Sequence, residues 1–186
     1  MEELKNDEKL LLELASKSIE SVFNKDIKID KDILLEDNLF LKEQRATFVT
    51  LTLDGKLRGC IGSLVAYRSL LEDILNNSKA AAFSDPRFEK LTYEEFQNTK
   101  IELSLLTIPK ILEYSDFEDL QKKLIPNKHG VILELDGKRA TFLPQVWEQL
   151  PTFNDFMVHL CQKAGLNPSN LSALPKIQIY EAQKIK

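Results

Sequence analysis

An Asp-Gly pair between two strand-like runs leaves this chain little choice but to turn back on itself. Thr47 to Leu53 alternates with a period of two, Asp54-Gly55 follow, and Leu57-Arg58-Gly59-Cys60-Ile61-Gly62 leads back. Asp-Gly readily supplies the two left-handed residues of a type I′ turn, so the segment is expected to be a hairpin with the hexapeptide on its return strand. Continued without interruption, that register sets Arg58 opposite Leu51 and Cys60 opposite Val49, and residues two apart share a face. A guanidinium beside a thiol favours the thiolate. Glycines at 59 and 62 would leave the sulfur uncrowded and backbone N–H groups approachable. Cys60 is therefore the candidate nucleophile, with Arg58 its candidate partner and Gly59 and Gly62 candidate lining. The plainer alternatives are a small buried hydrophobe at Cys60 and an ordinary ion pair at Arg58.

The rest of the chain alternates helical and strand-like patterns. Asp7 to Phe23 carries Leu11, Ala15, Ile19, Val22 and Phe23 at helical spacing, and Asn24 to Asn38 reads as a connection with a short strand. Arg68 to Phe83 is predicted helical, with a thin face at Ala80-Ala81-Ala82 that admits a close backbone or ligand. Ser84-Asp85-Pro86-Arg87-Phe88 breaks it. Thr92 and Glu95 form a capping box before a short helix, and Ile101, Leu103 and Leu105 alternate as a strand. Ser115 with Glu118 reads as a second capping box. Val131 to Phe142 repeats the Asp-Gly hairpin at Asp136-Gly137 and pairs Glu134 with Arg139. Thr152 starts a last helix that Gly165 ends, and Ile177 to Glu181 closes as a strand. This order argues for an α+β domain, residues 1–186, built on a mainly antiparallel sheet flanked by helices.

Several functions are disfavoured by composition. Net charge is −4 without a long basic run, so nucleic acid is a poor partner. No apolar run approaches the ~20 residues of a membrane span, and no hydrophobic leader follows Met1; a cytosolic protein is expected. Cys60 and Cys161 are then expected as free thiols. Two cysteines and two histidines make structural zinc improbable, and His159 and Cys161, two apart on a helix, diverge. His129 and His159 are both expected to face solvent. No metal is assigned, and without a phosphate-binding glycine loop no cofactor is either.

The hexapeptide resembles the hallmark of the AMMECR-type domain family, which includes the AmmeMemoRadiSam system protein A group. Asp85-Pro86-Arg87-Phe88, Leu103-Ser104-Leu105-Leu106, Phe142-Leu143-Pro144-Gln145-Val146-Trp147 and the helix from Phe156 to Leu166 are similar to further family motifs, in order, over about residues 8 to 183. The resemblance implies a larger lobe with a smaller one and a motif-lined cleft between them. It also implies Memo-type (extradiol-dioxygenase-like) and radical S-adenosylmethionine proteins as partners. Asp85, Arg87 and Gln145 join the hexapeptide as expected cleft lining, against ordinary turn and helix-start roles. Two functions are expected. One is an enzyme or enzyme subunit acting on a small anionic metabolite through Cys60; the other is a non-catalytic binding or adaptor module.

Overall fold

The structure is a computed structural model and describes residues 2–186. Its elements are α1 (Glu2–Phe23), α2 (Lys31–Asp37), β1 (Thr47–Leu53), β2 (Lys56–Gly62), α3 (Leu70–Phe83), α4 (Tyr93–Asn98), β3 (Thr99–Leu106), β4 (Lys110–Ile111), α5 (Phe117–Lys123), β5 (Gly130–Leu135), β6 (Lys138–Phe142), α6 (Phe153–Lys163), β7 (Lys176–Tyr180) and β8 (Ala182–Ile185). They form an α+β fold with two four-stranded antiparallel sheets. The chain divides into two compact units. One is the chain up to Leu106 together with Gln183–Lys186, and the other is Thr107–Ala182.

In the first unit the strand order is β2-β1-β3-β8. The hairpin turns at Asp54 (φ 50°) and Gly55 (φ 74°), both left-handed as a type I′ turn requires. The register differs from the simple continuation. Thr52 pairs with Leu57 but Leu51 pairs with Gly59, so Arg58 is an extra, bulged residue, and Cys60 lies opposite Thr50 instead of Val49. The physical reason is the core. Val49 and Leu51 are fully buried under the helices, and an unbroken register would drive Arg58 and Cys60 onto that face. The bulge places Gly59 there instead and turns Cys60 to the other side.

Helix α1 packs Leu11, Leu14, Ala15 and Ile19 into this core, whereas Val22, expected on the same face, is 47% exposed. Asn24 to Asn38 holds no strand. Asp30 caps α2 by accepting the Ile33 N–H, which turns the segment helical. Ser69 caps α3, and Thr92 with Glu95 forms the expected capping box on α4.

The second unit has strand order β4-β7-β5-β6. Its hairpin turns at Asp136 (φ 50°) and Gly137 (φ 75°) and pairs Glu134 with Arg139, as expected. The cap of α5 is Asp116, one residue beyond Ser115, because the Asp116 carboxylate takes the Asp119 N–H. Trp147 is buried and stacked on Phe156, ring centroids 3.7 Å apart. His129 is buried rather than solvent-facing. Its Nδ1 accepts the Ile125 N–H and its carbonyl accepts the Trp147 indole N–H, so its ring closes a turn; burial lowers its pKa. His159 is exposed, as expected. Among the described residues no helix is long and apolar enough to cross a membrane.

Candidate functional site: the hexapeptide edge

Strand β2 is an edge of its sheet, and an open edge leaves alternate N–H and C=O groups without strand partners. At Cys60 both are taken. Its N–H donates to Asp85 Oδ2 at 2.8 Å, and its carbonyl accepts from the Arg87 guanidinium at 3.2 Å. Asp85-Pro86-Arg87, placed where α3 ends, thus acts as a substitute strand one residue wide. With its backbone groups turned outward, Cys60 forms the closer, non-hydrogen-bonded kind of pair with Thr50, and its Sγ lies 3.4 Å from the Thr50 hydroxyl. The thiol is half-buried.

The clamp is held together by charge. Asp85, itself buried, accepts from the Arg87 backbone N–H (3.1 Å), from Nε (3.0 Å) and from the terminal guanidinium nitrogen (2.7 Å). The Arg87 hydrogen bonds, helped by the Cys60 N–H and opposed by burial, hold the Asp85 carboxyl well below the usual carboxylate range. Asp85 in turn raises the pKa of Arg87. Arg58 does not sit on the thiol. Its guanidinium grips both oxygens of Glu95 (3.0 and 2.9 Å) and the Glu89 carbonyl (2.9 Å). That pairing, with the Thr92 N–H, lowers the Glu95 carboxyl to about 2. Both guanidinium groups approach the Phe88 ring, at 5.9 Å for Arg58 and 5.4 Å for Arg87.

The glycines serve packing rather than access. A Cβ on Gly59 would lie 2.2 Å from the Ala81 carbonyl oxygen, so the thin face of α3 meets the strand backbone there. A Cβ on Gly62 would lie 2.3 Å from the Phe48 ring. The structure thus brings Arg58, Gly59, Cys60, Gly62, Asp85 and Arg87 together in the first unit. Gln145 belongs to the second, as the second residue of the short helical turn Pro144–Glu148, and both histidines lie there too.

Sequence reasoning missed a buried polar knot at the end of the hexapeptide strand. Asp73, 1% exposed, accepts from the Thr47 N–H and hydroxyl, the Ser63 hydroxyl, Arg68 Nε and the Asn77 amide, at 2.7 to 2.9 Å. Asn77 also donates to the Thr47 carbonyl. The signal was present, since Asp73 and Asn77, four apart, interrupt the apolar face of α3. Between the pinned residues Ser63 and Arg68, the loop exposes Leu64 (36%), Val65 (48%) and Tyr67 (64%), the last under the Arg68 guanidinium. Among the described residues no three His, Cys, Asp or Glu side chains cluster as metal ligands would.

A family model, AMMECR1, matches residues 12–185. A protein of Methanosarcina mazei is 34% identical over 177 residues, covering 94% of this chain and 88% of its own. Protein SSO0193 of Saccharolobus solfataricus is 37% identical over 171 residues, covering 86% and 72%. Among solved structures, the crystal structure of the uncharacterized protein PH0010 from Pyrococcus horikoshii superposes with a TM-score of 0.80 at 30% identity, covering 94% of this chain and 88% of that one. The match spans nearly the whole chain in sequence and in fold, and the chain belongs to the AMMECR1 family.

Proposed function

We propose that this protein is a binding module in which the hexapeptide is the frame and the apolar loop after it is the contact. The observation that carries the reading is the use already made of the Arg58 side chain and of the Cys60 backbone groups. Arg58 is bound to Glu95, the Cys60 N–H and C=O to Asp85 and Arg87, and both glycines lie against neighbouring atoms. Besides Leu57, the apolar side chains presented to solvent here are Leu64, Val65 and Tyr67, on a loop whose two ends are tied to buried Asp73. Exposed apolar side chains on a fixed loop suit a protein partner. The family resemblance points to a Memo-type or radical S-adenosylmethionine protein of the same genome.

A second reading keeps Cys60 as the nucleophile of an enzyme acting on a small anionic metabolite. It draws on the half-buried thiol beside the Thr50 hydroxyl, with Arg87, not Arg58, as the cation next to the strand. One experiment separates the two. Sedimentation of the chain mixed with each candidate partner should show a complex that Val65→Asp with Tyr67→Ser abolishes and Cys60→Ala preserves. The catalytic reading requires the reverse sensitivity, together with iodoacetamide labelling of Cys60 that persists well below the ordinary thiol range. Buried Cys161, whose pKa burial raises, is the internal control.

A further inference from the structure

Away from the hexapeptide edge, the first unit contains a concavity of about 390 Å³ between α1, α3 and the segment joining α1 to α2. Three lysines line it: Lys25 just beyond the end of α1, Lys31 at the start of α2 and Lys79 on α3. No carboxylate is among its lining residues, and none of the three lysines takes part in an ion pair described for this structure. The nearby Asp30 carboxylate is engaged in capping α2. In a chain of net charge −4, three lysines lining one concavity that has no carboxylate in its lining form a local field that an anion can neutralise.

The remaining lining gives the anion its chemical class. Ile27, Ile29 and Leu75 supply an apolar wall, and Ser21 adds a hydroxyl whose proton is given to the Ser18 carbonyl. Ammonium groups on flexible stems bind as point charges, and three of them together match the two charges and three free oxygens of a phosphate monoester dianion better than the single charge of a carboxylate. The apolar wall calls for an organic portion beside the charge. The volume fits a small molecule. We infer that Lys25, Lys31 and Lys79 form a binding site for a small phosphate monoester whose organic group rests on Ile27 and Ile29. This site uses none of the residues of the hexapeptide edge and stands or falls independently of the function proposed there.

The test is an NMR titration of the full chain with phenyl phosphate and with inorganic phosphate at fixed ionic strength. Phenyl phosphate should saturate one site and bind roughly fivefold more tightly than inorganic phosphate, the difference reporting the apolar wall. Each of Lys25→Gln, Lys31→Gln and Lys79→Gln should weaken it roughly fivefold, and the triple variant should no longer saturate. Lys42→Gln, Lys56→Gln and Lys100→Gln combined change net charge equally and should leave the affinity within about twofold. A non-saturating response in the native protein, or equal loss in both triple variants, overturns the site. Phenyl phosphate binding no tighter than inorganic phosphate overturns its assignment to an ester. All the lysines changed are exposed, and a thermal melt of each variant separates lost binding from lost folding.

Discussion

At Gly59 the strand backbone and the α3 backbone approach so closely that no side chain fits. Gly59→Ala is therefore expected to cost about 3 kcal/mol by overpacking against main chain that cannot yield locally. At Gly137, a Cβ meets open space but φ is +75°, so Gly137→Ala should cost only about 1 kcal/mol of backbone strain. Urea unfolding of both variants checks the order, and equal small losses would contradict the contact at Gly59. The charged residues give a pH signature. Asp85 and Glu95 are both held below their unfolded pKa values, Glu95 falling from 4.5 to about 2. The folded state thus binds fewer protons in acid than the unfolded chain does. Their contribution is complete above about pH 4.5 and is lost as pH falls toward the folded values. Unfolding free energy should decline over that range, and Asp85→Asn should make the decline shallower; an unchanged acid slope would contradict the clamp. Cys60 and Arg58 stood out in the sequence, but the partners assigned to them changed, because a one-residue bulge reassigns every contact beyond it.

Helix α3 organises the first unit from two ends. Its start carries Asp73 and Asn77, which tie Thr47 of β1, Ser63 after β2 and Arg68 into one network, and its end delivers Asp85 to the edge of β2. Asp73→Ala should leave Arg68 and several donors unanswered in the interior and cost about 4 kcal/mol. Thermal unfolding checks this, and a loss below about 1 kcal/mol would mean that water substitutes freely for the carboxylate. Elements whose causes are local were legible in the sequence: both Asp-Gly hairpins, the Thr92 and Thr152 caps and the stop at Gly165. Elements decided by tertiary contact were not. The bulge exists because Val49 and Leu51 face the buried side, and the cap at Asp116 was read one residue early because Ser115 and Asp116 are both good capping residues.

On the scale of the whole chain, each unit has its own apolar core. Leu51, Leu71, Ile74 and Leu103 lie in the first, and Trp147, Phe156, Met157 and Leu133 in the second. The α+β class and antiparallel pairing followed from alternation and turn chemistry, and the family from motifs spread along the chain. The lysine-lined concavity was invisible beforehand, since its residues are separated by up to 61 positions (18 to 79) and share no local pattern. The hexapeptide strand is an edge closed from within by Asp85 and Arg87. Amide hydrogen exchange followed by NMR across the whole chain tests this closure. The Cys60 amide should be protected in the native protein despite lying on an edge strand. In Asp85→Ala that protection should fall at least tenfold, while the amides of Ile74 and Leu75 in α3 keep theirs. A Cys60 amide that exchanges freely in the native protein, or is unaffected by the loss of Asp85, would contradict it.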